Sequence, residues 1–121
     1  SEPIATVLQV KIDGQVAKPG IYRLPLKTTI KELLAQAQPL PSADLSRVKE
    51  RCQLHDGQTV HVPERRSITI QVTGAVLQPG PLEILSGTRY CELADQIQMM
   101  PEADLKSLLK RRRFLKEGDI V

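Results

Sequence analysis

Apolar and polar positions alternate along residues 6–12, with Leu8, Val10 and Ile12 on one side of an extended chain and Lys11 and Asp13 on the other. A period of two predicts a strand. A returning strand is predicted at Ile21-Tyr22-Arg23-Leu24, which Pro25 keeps from continuing as a central strand. Between them, Gly14 and Pro19-Gly20 predict a hairpin that reverses at Pro-Gly, because proline presets φ and glycine accepts positive φ. The period then changes. Ile30, Leu33, Leu34 and Ala37 form a stripe at helical spacing, opened by the capping box Thr29-Ile30-Lys31-Glu32 and ended before Pro39. Ser42-Ala43-Asp44-Leu45 predicts a turn opening one short helical turn, with Leu45 and Val48 facing inward. Asp56-Gly57, set between Cys52-Gln53-Leu54 and Thr59-Val60-His61-Val62, predicts a second hairpin that Pro63 ends.

The pattern then starts again. Ile70-Gln71-Val72-Thr73-Gly74-Ala75-Val76 with Pro79-Gly80 repeats Val10-Lys11-Ile12-Asp13-Gly14-Gln15-Val16 with Pro19-Gly20 at an offset of sixty. The same offset links Thr28 to Thr88, Glu32 to Glu92, Leu33 to Leu93 and Ala43-Asp44-Leu45 to Ala103-Asp104-Leu105. Near the end it becomes sixty-one, pairing Leu54-His55-Asp56-Gly57 with Leu115-Lys116-Glu117-Gly118 and placing one extra residue among 110–114. A strand over 68–73, a return strand over 82–85 and a helix from Thr88 or Arg89 to Gln98 are predicted, with Thr88 as the available N-cap. Two domains follow, residues 1–64 and 65–121, each the size of a small repeat unit.

The order strand, strand, helix, short helix, strand, strand predicts an α+β fold: two tandem β-grasp (ubiquitin-like) units, each a mixed sheet with one main helix across it. With one Phe, two Tyr and no Trp, the cores must be aliphatic, and little remains for stacking bases or sugar rings. No stretch approaches the ~20 apolar residues of a membrane span. Cys52 and Cys91 occupy unmatched places in the two copies and read as buried free thiols, with a disulfide between them as the alternative.

The net charge is only +3, but Lys106, Lys110, Arg111, Arg112, Arg113 and Lys116 crowd near the C-terminus. Arg47, Lys49 and Arg51 hold the corresponding region of the first copy. Together Arg47, Lys49, Arg51, Lys110, Arg111, Arg112, Arg113 and Lys116 form a candidate patch for DNA phosphates, acidic polysaccharide or lipid headgroups. The competing reading is a solvated face balanced by Glu102, Asp104 and Glu117. The Pro-Gly loops are the other candidate, with Lys18, Pro19, Gly20, Gln78, Pro79 and Gly80 as ligand-binding residues, although turn geometry alone accounts for the prolines and glycines. An unpaired sheet edge offers a protein partner a third route.

Catalysis finds no support in these residues. His55 and His61 flank a predicted turn, the cysteines lack Cys-x-x-Cys spacing, and no nucleophile motif or phosphate loop is present, so no metal, cofactor or enzyme activity is expected.

The hairpin residues Val72-Thr73-Gly74-Ala75-Val76 with Gln78-Pro79-Gly80, their first-copy equivalents, and the run from Ala43-Asp44-Leu45 to Val62-Pro63 resemble the soluble-ligand-binding β-grasp (SLBB) domains. The closing run is most similar to the short form in ComEA-type competence proteins. The resemblance implies non-catalytic binding of a soluble ligand such as a polysaccharide, in extracytoplasmic (periplasmic or cell-surface) assemblies for export or uptake. The tandem arrangement resembles polysaccharide export proteins. In competence proteins the SLBB part precedes a DNA-binding helix-hairpin-helix, and no such glycine-containing helix pair occurs in either repeat. DNA uptake is therefore the second reading.

Overall fold

The structure, a computed structural model, describes residues 7–73, 79–96 and 111–121. The chain divides into two compact units, Ser1–Glu64 and Arg65–Val121.

In the first unit β1 (Val7–Gly14) pairs antiparallel with β2 (Gly20–Pro25). Alternation along β1 buries Leu8, Val10 and Ile12 and leaves Val7, Gln9 and Lys11 exposed. The helix α1 (Ile30–Ala37) buries the stripe Ile30, Leu33, Leu34 and Ala37 against that face. Thr29 caps it, its hydroxyl accepting from the Glu32 amide at 3.3 Å. Leu45 and Val48, at a short 3-10 turn after Asp44, pack on the same core. The result is α+β: a mixed sheet in the order β2-β1-β3 with one helix across it.

The third strand, β3 (Thr59–Val62), departs from the expected hairpin. It pairs parallel to β1, with Lys11 opposite Thr59 and Gly14 opposite Val62, while Gln53 forms an isolated antiparallel bridge with Thr29 beside the helix start. The Asp56-Gly57 turn forms, with Gly57 at φ 80°, but it does not join two paired strands. Its groups bond instead to β1: the Gln9 amide donates to Asp56 Oδ1 at 2.9 Å, and the Gly57 amide to the Gln9 carbonyl at 2.8 Å. Burying Val60 and Val62 beneath α1 requires β3 on the β1 edge, and burial outweighs the local pairing that Asp-Gly favours.

The reversal between β1 and β2 also differs from a tight Pro-Gly turn. Residues 15–19 form a loop, and Gly20 already pairs with Ile12 as the first residue of β2. Val16 is buried and bridges Pro39. The amides of Ala17 and Lys18 donate to the carbonyls of Gln38 and Ala37, at 2.8 and 2.9 Å. The loop thus satisfies carbonyls that the end of α1 leaves free.

The second unit has β4 (Ser67–Val72) antiparallel to β5 (Gly80–Leu85). Every pair, from Ser67 opposite Leu85 to Val72 opposite Gly80, stands sixty residues beyond its counterpart in β1 and β2. Ile68, Ile70 and Val72 line a core with Ile84, Tyr90, Leu93 and Leu115. Gln71 and Ile120 form a parallel bridge, the counterpart of Lys11 opposite Thr59. The Thr69 amide donates to Glu117 Oε2 at 2.6 Å, as Gln9 does to Asp56.

The helix predicted from Thr88 or Arg89 is a 3-10 helix over Tyr90–Asp95 where it is described, and its predicted end at 97–98 lies outside the described residues. Thr88 is not its N-cap. The Thr88 hydroxyl donates to the Leu85 carbonyl, as Thr28 donates to Pro25, and Arg89 takes the cap position. A guanidinium has no acceptor. The Glu92 amide therefore turns to the Arg89 carbonyl at 3.0 Å, the i to i+3 bond of a 3-10 turn. The extra residue expected among 110–114 falls before Arg111. Cys91 donates its amide to the Arg111 carbonyl as Lys31 does to Glu50, so the sixty-one offset holds already at Arg111. Both cysteines are free, but neither is buried: Cys52 is exposed and Cys91 half-buried.

Candidate functional site

Of the six loop candidates, Lys18, Pro19 and Pro79 are exposed, Gly20 and Gly80 are half-buried, and Gln78 lies outside the described residues. The backbone of Lys18 is fully engaged. Its amide bonds to Ala37, and its carbonyl accepts from the Tyr22 hydroxyl at 2.6 Å. What the first loop offers a ligand is the Lys18 ammonium beside the flat, exposed Pro19.

The basic residues separate into two kinds. Arg47, Lys49 and Arg51 are exposed positions on the segment after Asp44. Arg111, Arg112, Arg113 and Lys116 are exposed as well, while Lys110 lies outside the described residues. Residues 111–113 are strapped to the start of the 3-10 helix by their carbonyls. Arg111 accepts from the Cys91 amide at 2.7 Å, Arg113 from the Tyr90 amide at 2.9 Å, and Arg112 from Arg89 Nη1.

The strap folds its side chains back over two rings. The Arg111 guanidinium lies 4.3 Å from the Tyr90 ring centroid and that of Arg113 5.1 Å, while Arg89 lies 4.0 Å over Phe114. Arg113 Nη2 also donates to the Tyr90 hydroxyl at 3.2 Å, which donates in turn to Asp119 Oδ2 at 3.0 Å. Tyr90 is 2% exposed, so its ring is roofed by these cations rather than open to solvent. A guanidinium over a ring contributes about 0.5–1 kcal/mol at an exposed site. Two cations within ~9 Å of each other in water repel by about 0.5–1 kcal/mol. The ring contacts therefore offset the repulsion that the run would otherwise suffer.

Comparison with known families adds one finding. Residues 9–37 match the SLBB domain family. The SLBB match runs from Gln9 in β1 through the 15–19 loop and β2 to the last residue of α1, so it covers the loop that caps the helix. No curated protein sequence matches the chain.

Two further polar groups make structural contacts. His61 Nδ1 lies 2.6 Å from Asp13 Oδ1 across the parallel strands, with the His61 side chain exposed and that of Asp13 half-buried. Asp44, fully buried, accepts from the amide and hydroxyl of Ser46 and fixes the entry to the short 3-10 turn. No group of three or more metal-ligating side chains occurs among the described residues. None of the described helices is long and apolar enough to cross a membrane.

Arg89, Tyr90 and Phe114 were not singled out by sequence reasoning. Part of their signal was present: Phe114 directly follows the chain's densest arginine run, and Arg89-Tyr90 stands where the first copy has Thr29-Ile30. It is the tertiary structure, through the bridge of Arg89 to Phe114 and the amide bonds of Tyr90 and Cys91, that shows the two stretches meet.

Proposed function

We propose that the chain is a tandem pair of SLBB β-grasp units that binds a soluble ligand or a partner without chemical turnover, within an extracytoplasmic export or uptake assembly. The observation that carries this reading is the SLBB match over β1, the helix-capping loop, β2 and α1. The second unit supports it by repeating the strand register of the first and the contacts of Thr28 and Asp56 at Thr88 and Glu117. A polysaccharide is the leading ligand class, gripped at the exposed Lys18 and Pro19 and their counterparts in the second loop. A protein partner has a second route along the outer edge of β2, which among the described residues pairs with a strand on one side only.

The alternative is a DNA-binding component of an uptake system, favoured by the exposed Arg111, Arg112 and Arg113. One titration separates the readings: the purified chain against labelled double- and single-stranded DNA and labelled acidic and neutral polysaccharides, each at low and high salt. Saturable polysaccharide binding weakened by Lys18→Ala supports the leading reading. DNA binding that falls steeply with salt and is not displaced by polysaccharide puts the alternative first. Binding to none of these probes removes both and leaves the protein-partner route.

A further inference from the structure

The roofed ring of the second unit is more than a solvated basic face. Arg111 and Arg113 place their guanidinium carbons 4.3 and 5.1 Å from one ring centroid and remain exposed, so two forks stand at the same ring and are open to solvent. The nearby described carboxylates are committed elsewhere. Asp119 Oδ2 accepts from the Tyr90 hydroxyl and the Lys116 amide, Glu92 from the Arg89 amide, and Glu117 from the Thr69 amide. No described carboxylate forms an ion pair with Arg111, Arg112 or Arg113.

We propose that Arg111 and Arg113, braced on Tyr90, form a binding site for a multiply charged phosphate oxyanion of the diphosphate or triphosphate kind, with Arg89 and Arg112 adding positive charge beside it. This deepens the binding reading and rests on it, naming a site and a ligand chemistry. The guanidinium fork matches phosphate oxygens two at a time. Ring stacking has already restricted these side chains, so less conformational freedom is lost when an anion arrives. A ligand carrying two or more charges can meet both forks, whereas a single carboxylate satisfies one. Tyr90 is roofed and Phe114 carries Arg89 on one face, which leaves little ring surface for a nucleobase. The first unit lacks the device, since Glu50, Cys52 and Ile30 stand where the second has Arg111, Arg113 and Tyr90.

The test is calorimetric titration of the whole chain with sodium tripolyphosphate at low salt, repeated in two variants of equal charge change. Arg111→Gln with Arg113→Gln is expected to weaken binding about ten-fold or more, and Arg47→Gln with Arg51→Gln to leave it nearly unchanged; ten-fold corresponds to about 1.4 kcal/mol. Arg111→Lys with Arg113→Lys keeps the charge, loses the fork, and is expected to weaken binding as well; it also serves if the glutamine pair does not fold. Because the chain has no Trp, tyrosine emission reports directly, and in a Tyr22→Phe background it comes from Tyr90 alone. Tripolyphosphate is expected to change that emission. Vesicles of phosphatidic acid in phosphatidylcholine distinguish the source: displacement of tripolyphosphate assigns the site to a lipid-borne phosphate, and no displacement assigns it to a free one. Absence of saturable binding, equal loss in the two glutamine variants, unchanged Tyr90 emission, or binding of duplex DNA without tripolyphosphate would each overturn the proposal. Polysaccharide binding that persists in such a case would leave the broader reading standing.

Discussion

Gly14→Ala tests the junction on which the first unit closes. Gly14 sits at φ 91°, and a Cβ added there would lie 2.2 Å from the Val62 carbonyl oxygen, against the 3.4 Å at which ordinary contact begins. Holding alanine at a left-handed φ costs about 1–2 kcal/mol. Relieving the clash must part β1 from β3 by more than an ångström, which breaks the 2.9 Å bond from the Gln15 amide to the same carbonyl. That loss adds about 1–3 kcal/mol, because Val62 is fully buried and water cannot replace the donor. The expected total is about 2–5 kcal/mol, a large share of the ~3–10 kcal/mol available to a unit of this size. Gly57→Ala is the control: its φ of 80° carries a similar backbone penalty, but nothing lies within 4 Å of the added Cβ. Two units need not unfold together, so one melting midpoint is ill-defined. Amide hydrogen exchange at Val10 and Ile12, followed through a urea series, reads the first unit directly. Equal destabilisation by the two substitutions would refute the close approach of Gly14 to Val62 as the reason for glycine there.

Other substitutions probe the remaining joints. Leu33→Ala removes a fully buried side chain from the helix stripe and is expected to cost about 2–5 kcal/mol by chemical denaturation. Leu93→Ala, its counterpart at the offset of sixty, is expected to cost a similar amount. Thr28→Val deletes the hydroxyl that donates to Pro25 and should lower stability by about 1–2 kcal/mol; an unchanged denaturation midpoint would show that the bond contributes nothing. Tyr90→Phe keeps the ring under Arg111 and Arg113 but removes the hydroxyl linking Arg113 to Asp119. It is expected to speed exchange of the Lys116 amide, which Asp119 also accepts, measured by NMR.

What could be read from the sequence was whatever depends on near neighbours in the chain. Leu8, Val10 and Ile12 share a face because side chains alternate along a strand, and Ile30, Leu33, Leu34 and Ala37 share one because a helix turns every 3.6 residues. The Thr29 cap needs only an amide three residues on. The α+β class follows from those periods. The candidate residues of the exposed loop and arginine run were visible for the same reason, since composition and turn chemistry are local properties.

Partner choice was the part that tertiary structure decided. Asp56-Gly57 carries a hairpin signal and makes its turn, yet β3 joins β1 and Gln53 meets Thr29, because burying Val60 and Val62 against α1 outweighs the adjacent pairing. The 15–19 loop became a cap for the helix end only because the chain brings Ala17 and Lys18 to the carbonyls of Gln38 and Ala37. Arg111 and Arg113 read as a repelling run until the fold sets Tyr90 beneath them. Each of these contacts joins positions nineteen or more residues apart, where local pattern carries no information and the free energy of burial and of satisfied backbone groups selects the partner.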